Sequence, residues 1–89
     1  MKTLAGMYMH ALHEEKENFW DYIDLMDHET TKERHAMWYA IASDELQHFA
    51  KIKEMIWANL DGHTEMEKAF HEAMHDEYEK MRKCLEKRK

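Results

Sequence analysis

No proline occurs anywhere in the 89 residues, and glycine occurs only twice, at Gly6 and Gly62. The residues that break or kink a helix are thus nearly absent, while Ala, Leu, Met, Glu and Lys, all good helix formers, supply much of the rest. No alternation of apolar and polar residues competes as a strand, so the predicted fold class is all-α. Breaks between helices must then come from capping signals. Thr30 with Glu33, and Thr64 with Glu67, each have the spacing of a capping box, which satisfies orphan backbone donors at a helix start. Gly62, just past Leu60 and Asp61, is placed to end the preceding helix in a left-handed conformation. The predicted elements are a first helix from Thr3 to Asp27, a second from Thr31 to Asp61 and a third from Glu65 to Glu86. At 1.5 Å per residue the second would run about 45 Å, folding back on the first through Asp27–Thr30 as a long antiparallel hairpin. Residues 1–89 are read as one domain, a hairpin plus a third helix.

So short a chain buries only a modest share of its surface, which makes self-association or a bound metal an expectation from size alone. The net charge of -6 argues against nucleic acid as the main partner and suits the attraction of cations. The basic run from Arg82 to Lys89 reads as charge complementing a helix C-terminus. Cys84 is the only cysteine, so no intramolecular disulfide is possible. No stretch has the apolar length of a membrane span or a signal-peptide core, so a soluble, cytoplasmic protein with no membrane partner is expected.

The informative residues are carboxylates inside apolar stripes. In the first helix Leu4, Tyr8, Ala11, Glu15, Asn18, Tyr22 and Leu25 share one face at helical spacing, with Leu12, Phe19, Ile23 and Met26 widening it on the flank. In the second, Trp38, Ile41, Glu45, His48, Ile52 and Met55 form a seam, with Ala42, Phe49, Ile56 and Leu60 beside it. Glu15 and Glu45 are therefore expected near the centre of buried faces. Burying an unpaired carboxylate costs several kcal/mol, so the arrangement needs compensation. A shared cation supplies it, and the i, i+3 spacing of Glu45 and His48 lets both reach one point. Carboxylate oxygen plus imidazole nitrogen without thiolate favours iron or manganese over structural zinc. The metal-free alternative is a polar core in which these Glu pair with Arg34, Lys16 or His48 and fix how helices associate. With 13 Glu and 8 His in the chain, a Glu-x-x-His match is expected about once by chance, so position carries the argument rather than the motif.

A di-iron helical bundle takes one Glu from each of two helices and Glu-x-x-His from each of the other two. This chain offers one of each, half a site, and a two-fold homodimer would complete a four-helix bundle with two copies each of Glu15, Glu45 and His48. The strings Glu14-Glu15-Lys16-Glu17 with Tyr22 seven residues after Glu15, and Asp44-Glu45-Leu46-Gln47-His48, carry the resemblance. Over roughly residues 8 to 57 the chain resembles the encapsulated ferritins, short hairpin members of the ferritin-like di-iron family, and is similar to rubrerythrins. The resemblance implies a ferritin-like bundle and an iron-binding protein with one di-iron site per homodimer or higher homo-oligomer, manganese or zinc being possible substitutes. It further implies ferroxidase activity, the oxidation of Fe²⁺ by O₂ or peroxide, with Glu15, Glu45 and His48 as catalytic metal ligands. On the same resemblance Tyr22 is an aromatic beside the site, and Glu14 and Glu17 form an acidic entry. The chain ends in Cys84-Leu85-Glu86-Lys87-Arg88-Lys89 without the apolar Gly/Leu-rich tail that directs such cargo to a shell, so an encapsulin shell is not expected as a partner.

A competing motif lies in the third helix, where His71-Glu72-Ala73-Met74-His75 reads as the zinc-protease signature H-E-x-x-H. Its phase is wrong for that chemistry. Met66, Phe70, Met74, Glu77 and Met81 mark the expected buried side, leaving Glu72 nearly opposite. Glu77 reads as a further carboxylate near the core or as a partner for a lysine on another helix. His10, His13, His28, His35 and His63 are expected on outer faces or turns.

Overall fold

The computed structural model describes residues 3–60 and 63–89, which form three helices: α1, Leu4–His28; α2, Lys32–Ala58; and α3, Glu65–Glu86. Helix α1 starts where the Thr3 hydroxyl accepts the Gly6 N–H at 3.0 Å. It ends where Glu29 turns extended (φ -75°, ψ 141°). The cap of α2 is Thr31, one residue later than the predicted Thr30–Glu33 box, and its hydroxyl accepts the Arg34 N–H at 3.2 Å. Glu29 makes this turn compact: its carboxylate accepts from the Trp38 indole N–H at 3.1 Å and lies 4.0 Å from Arg34.

Helix α2 stops at Ala58, short of the predicted Asp61, because Asn59 caps it, its side-chain amide donating to the Met55 carbonyl at 2.7 Å. Asp61 and Gly62, the expected terminating pair, lie outside the described residues. His63 itself takes a left-handed conformation (φ 45°), with its ring stacked on Trp57 at 3.8 Å. Helix α3 opens on the Thr64–Glu67 capping box, both of its hydrogen bonds present.

Helices α1 and α2 make the antiparallel hairpin, and α3 packs mainly along α2. The core consists of Leu12, Phe19, Ile23 and Met26 from α1, Ala42, Leu46, Phe49 and Ile56 from α2, and Met81 and Leu85 from α3. Burying each of the larger side chains contributes about 1.5–3 kcal/mol. Two ion pairs fasten α3 and the residues just after it to α1: Arg88, past the end of α3, forks onto Asp27 with both nitrogens at 2.7 Å, and Lys16 lies 3.7 Å from Glu77.

This core corrects the sequence reading of which face is buried. Apart from half-buried Leu60, the residues assigned to the flank of each stripe are buried, joined by Leu46, whereas the expected centre is largely half-buried in the middle and open toward its ends, with Leu4 60% and Met55 45% exposed. A hairpin has two broad faces, and α3 covers only one of them. The outcome is a flattened molecule with Cα extents of 49 × 28 × 15 Å, the thinnest being about what two packed helix layers need. On α3 the expected Met81 is fully buried and Phe70 and Met74 pack partly on the core, but Met66 is 83% exposed, and Leu85, outside the expected stripe, is buried as well.

Candidate metal centre

Glu15 is near the midpoint of α1 and Glu45 near that of α2, so the hairpin sets them side by side on its open face, with His48 one turn beyond Glu45. One ligand atom from each of the three lies within 4.8 Å of the others. His48 Nδ1 is 3.6 Å from Glu15 Oε2, with the imidazole 52% exposed and the Glu15 side chain 23% exposed. Oε2 of Glu15 and Oε2 of Glu45 are both buried without a hydrogen-bond partner. Such acceptors are costly when left unpaired, and their convergence is what a cation or a shared proton would relieve.

The electrostatics agree with the geometry. Burial pushes the Glu45 carboxyl up, and the adjacent Glu15 carboxyl and the Asp44 charge push it further, to about 7. Near neutrality Glu45 thus holds a proton for about half the time, and a cation entering the cluster competes with that proton. Two carboxylates and one imidazole supply the oxygen and nitrogen donors suited to a divalent transition metal, with His48 on the solvent side.

The remaining expected site residues are not gathered there. Glu14 and Glu17 stand exposed and pair along their own helix, Glu14 with His10 at 2.8 Å and Glu17 with His13 at 3.5 Å. Tyr22 is two turns from Glu15, roughly 10 Å by helical rise, and stacks on Trp38 with ring centroids 5.7 Å apart. Lys16 and Arg34, offered as metal-free partners, are engaged elsewhere, with Glu77 and Glu29 respectively. That also assigns Glu77, which is the partner of a lysine on another helix.

The H-E-x-x-H residues do not converge. His71 stacks on Trp57 at 4.4 Å and approaches Glu54 at 3.4 Å, whereas His75 is exposed and tilted against Tyr78. Among the described residues, Glu15, Glu45 and His48 are the one group of three or more acidic, His or Cys side chains close enough to hold an ion together. Sequence reasoning passed over Lys53, which is buried in α2 with its ammonium paired to Glu54. Its phase gave a signal, since it falls one turn after Phe49 and one before Ile56, both core residues. Among known proteins, no family model, curated protein or solved structure matches the chain.

Proposed function

We propose that the chain is an iron-binding, ferritin-like protein that acts as a homodimer, two open hairpin faces meeting so that Glu15, Glu45 and His48 of each copy enclose a di-iron carboxylate site. The observation that carries this reading is the pair of buried, unpartnered carboxylate oxygens converging with an imidazole on a face no other helix covers. Leu4, Leu25, Ile41 and Met55 on that face are exposed apolar side chains suited to a helical partner. Fe²⁺ is the substrate: two ions each give one electron to O₂, which leaves as hydrogen peroxide after taking up two protons. In this scheme Glu15 and Glu45 neutralise the incoming charge and favour the ferric product, and His48 fixes one side of the coordination. Glu45 gives up its proton as iron enters.

Iron per dimer and the rate of Fe²⁺ oxidation in air test the proposal together. Two irons per dimer and accelerated oxidation, both lost in Glu45→Ala, are expected. Iron binding unchanged in Glu45→Ala would falsify it, and binding without accelerated oxidation would reduce it to metal storage. The 3.6 Å approach of His48 to Glu15 favours one further reading, a metal-free interaction module whose polar residues fix pairing. That reading predicts that Glu15→Leu in chelator raises thermal stability and leaves self-association intact.

A further inference from the structure

A cavity of about 230 Å³ opens between α1, α2 and α3, away from the carboxylate cluster. Its floor is Leu12, Phe49 and Phe70, and its wall carries two thioethers and an imidazole, Met9 and His13 from α1 and Met74 from α3. Met9 and His13 are one turn apart on the same helix, the spacing at which two side chains reach a common point. Met74 comes from the helix opposite. Methionine has three rotatable bonds and a polarizable sulfur, so two of them can close on an ion that enters such a cavity.

His13 Nε2 lies 3.5 Å from the Glu17 carboxylate, one turn along the helix, so a metal would take the ring's other nitrogen, Nδ1. An imidazole that donates one N–H to a carboxylate and offers its other nitrogen to a metal is the usual arrangement of a ligating histidine. The cavity does not favour an anion, because Lys16, the lysine on its wall, is paired with Glu77. Neutral thioethers, one imidazole and a phenyl-lined floor suit a soft monovalent ion and bind hard divalent ions poorly. We propose that Met9, His13 and Met74 form a second metal site selective for Cu(I), separate from the carboxylate cluster and independent of any role in iron chemistry.

The test is anaerobic Cu(I) titration of the intact chain against a chromophoric Cu(I) chelator, with Ag(I) as a redox-inert probe of the methionine methyl groups by NMR. One equivalent of Ag(I) is expected to shift the methyl signals of Met9 and Met74 together with the His13 ring. Met9→Leu/Met74→Leu, which keeps volume and apolarity, is expected to lose at least about tenfold in Cu(I) affinity while melting at the parent temperature. Glu45→Ala and Cys84→Ser are each expected to bind Cu(I) as the parent does. Shifts confined to other methionines, affinity unchanged in the double leucine variant, or binding abolished by Cys84→Ser would overturn the assignment. Because Glu45→Ala leaves this site whole, failure of the iron proposal and failure of this one give different results.

Discussion

Replacing Glu45 by glutamine isolates the cost of the carboxylate pair. Its carboxyl titrates at about 7 in the folded chain against 4.5 ordinarily, driven first by burial and then by the neighbouring Glu15. A gap of that size puts a ceiling of about 3 kcal/mol on the penalty for the ionised form. Solvent reaching the open face reduces this to about half. Between the two values the folded chain keeps a proton that the unfolded chain has released, so stability falls as pH rises through the window and the loss is complete above about 7. Glu45→Gln keeps the shape and cannot ionise. In chelator and at matched protein concentration, urea unfolding followed by circular dichroism should show parent and variant nearly equal at about pH 4.5 and the variant more stable by about 1.5 kcal/mol at about pH 8. The lowered carboxyls of Asp27 and Glu54 are common to both proteins and cancel in the difference. A difference that stayed constant with pH, or that grew in the parent's favour toward high pH, would refute the reasoning.

Three other outcomes are expected. Affinity for Mn²⁺, a probe that stays divalent, should rise with pH up to about 7 and level off as the Glu45 proton ceases to compete, and a calorimetric titration showing no pH dependence would count against the cluster as the binding site. Phe19→Ala, at a fully buried position, should cost about 3–5 kcal/mol in chemical denaturation, whereas a cost below about 1 kcal/mol would mean that the core is packed differently. Ile41→Glu on the open face should weaken self-association in sedimentation velocity while leaving the helical content and core untouched, and association equal to that of the parent would place the interface elsewhere.

Local signals in the sequence transferred well to the structure. The Thr64–Glu67 box fixes the start of α3 because both of its hydrogen bonds lie within four residues of chain. At the first turn Thr30 was the expected cap and Thr31 is the observed one, a choice that goes with the Glu29 side chain reaching Trp38, nine residues away. The pairing of Glu15 with Glu45 was legible for a geometric reason: each stands fifteen residues from Thr30, so an antiparallel hairpin turning there must set them level. Tyr22 and Trp38, each eight residues from Thr30, obey the same register and stack. The choice of buried face was not legible. Periodicity marks a broad apolar stripe on α1, from Leu4 round to Met26, but α3 selects which half of it is covered, and that depends on Met81 and Leu85 meeting the hairpin in three dimensions.

That distribution of faces bears on how metal and partner would act on each other. On the free hairpin the carboxylate pair is tolerable because water still reaches its edge and Glu45 can hold a proton. A second copy laid on the open face removes that water and raises the cost of every unneutralised carboxylate, so a metal-free dimer is opposed by the same residues that the proposed site requires. A cation removes the opposition, and linkage then demands reciprocity: whatever factor the metal contributes to dimerisation, dimerisation contributes to metal affinity. Glu45→Gln is diagnostic here, since it removes one negative charge per copy. It should strengthen the metal-free dimer, abolish the effect of added metal on association, and thereby separate the apolar contribution of Ile41 and Met55 from the electrostatic one. If added metal left the parent's monomer–dimer equilibrium unchanged, the carboxylates and the interface would have to lie on different surfaces.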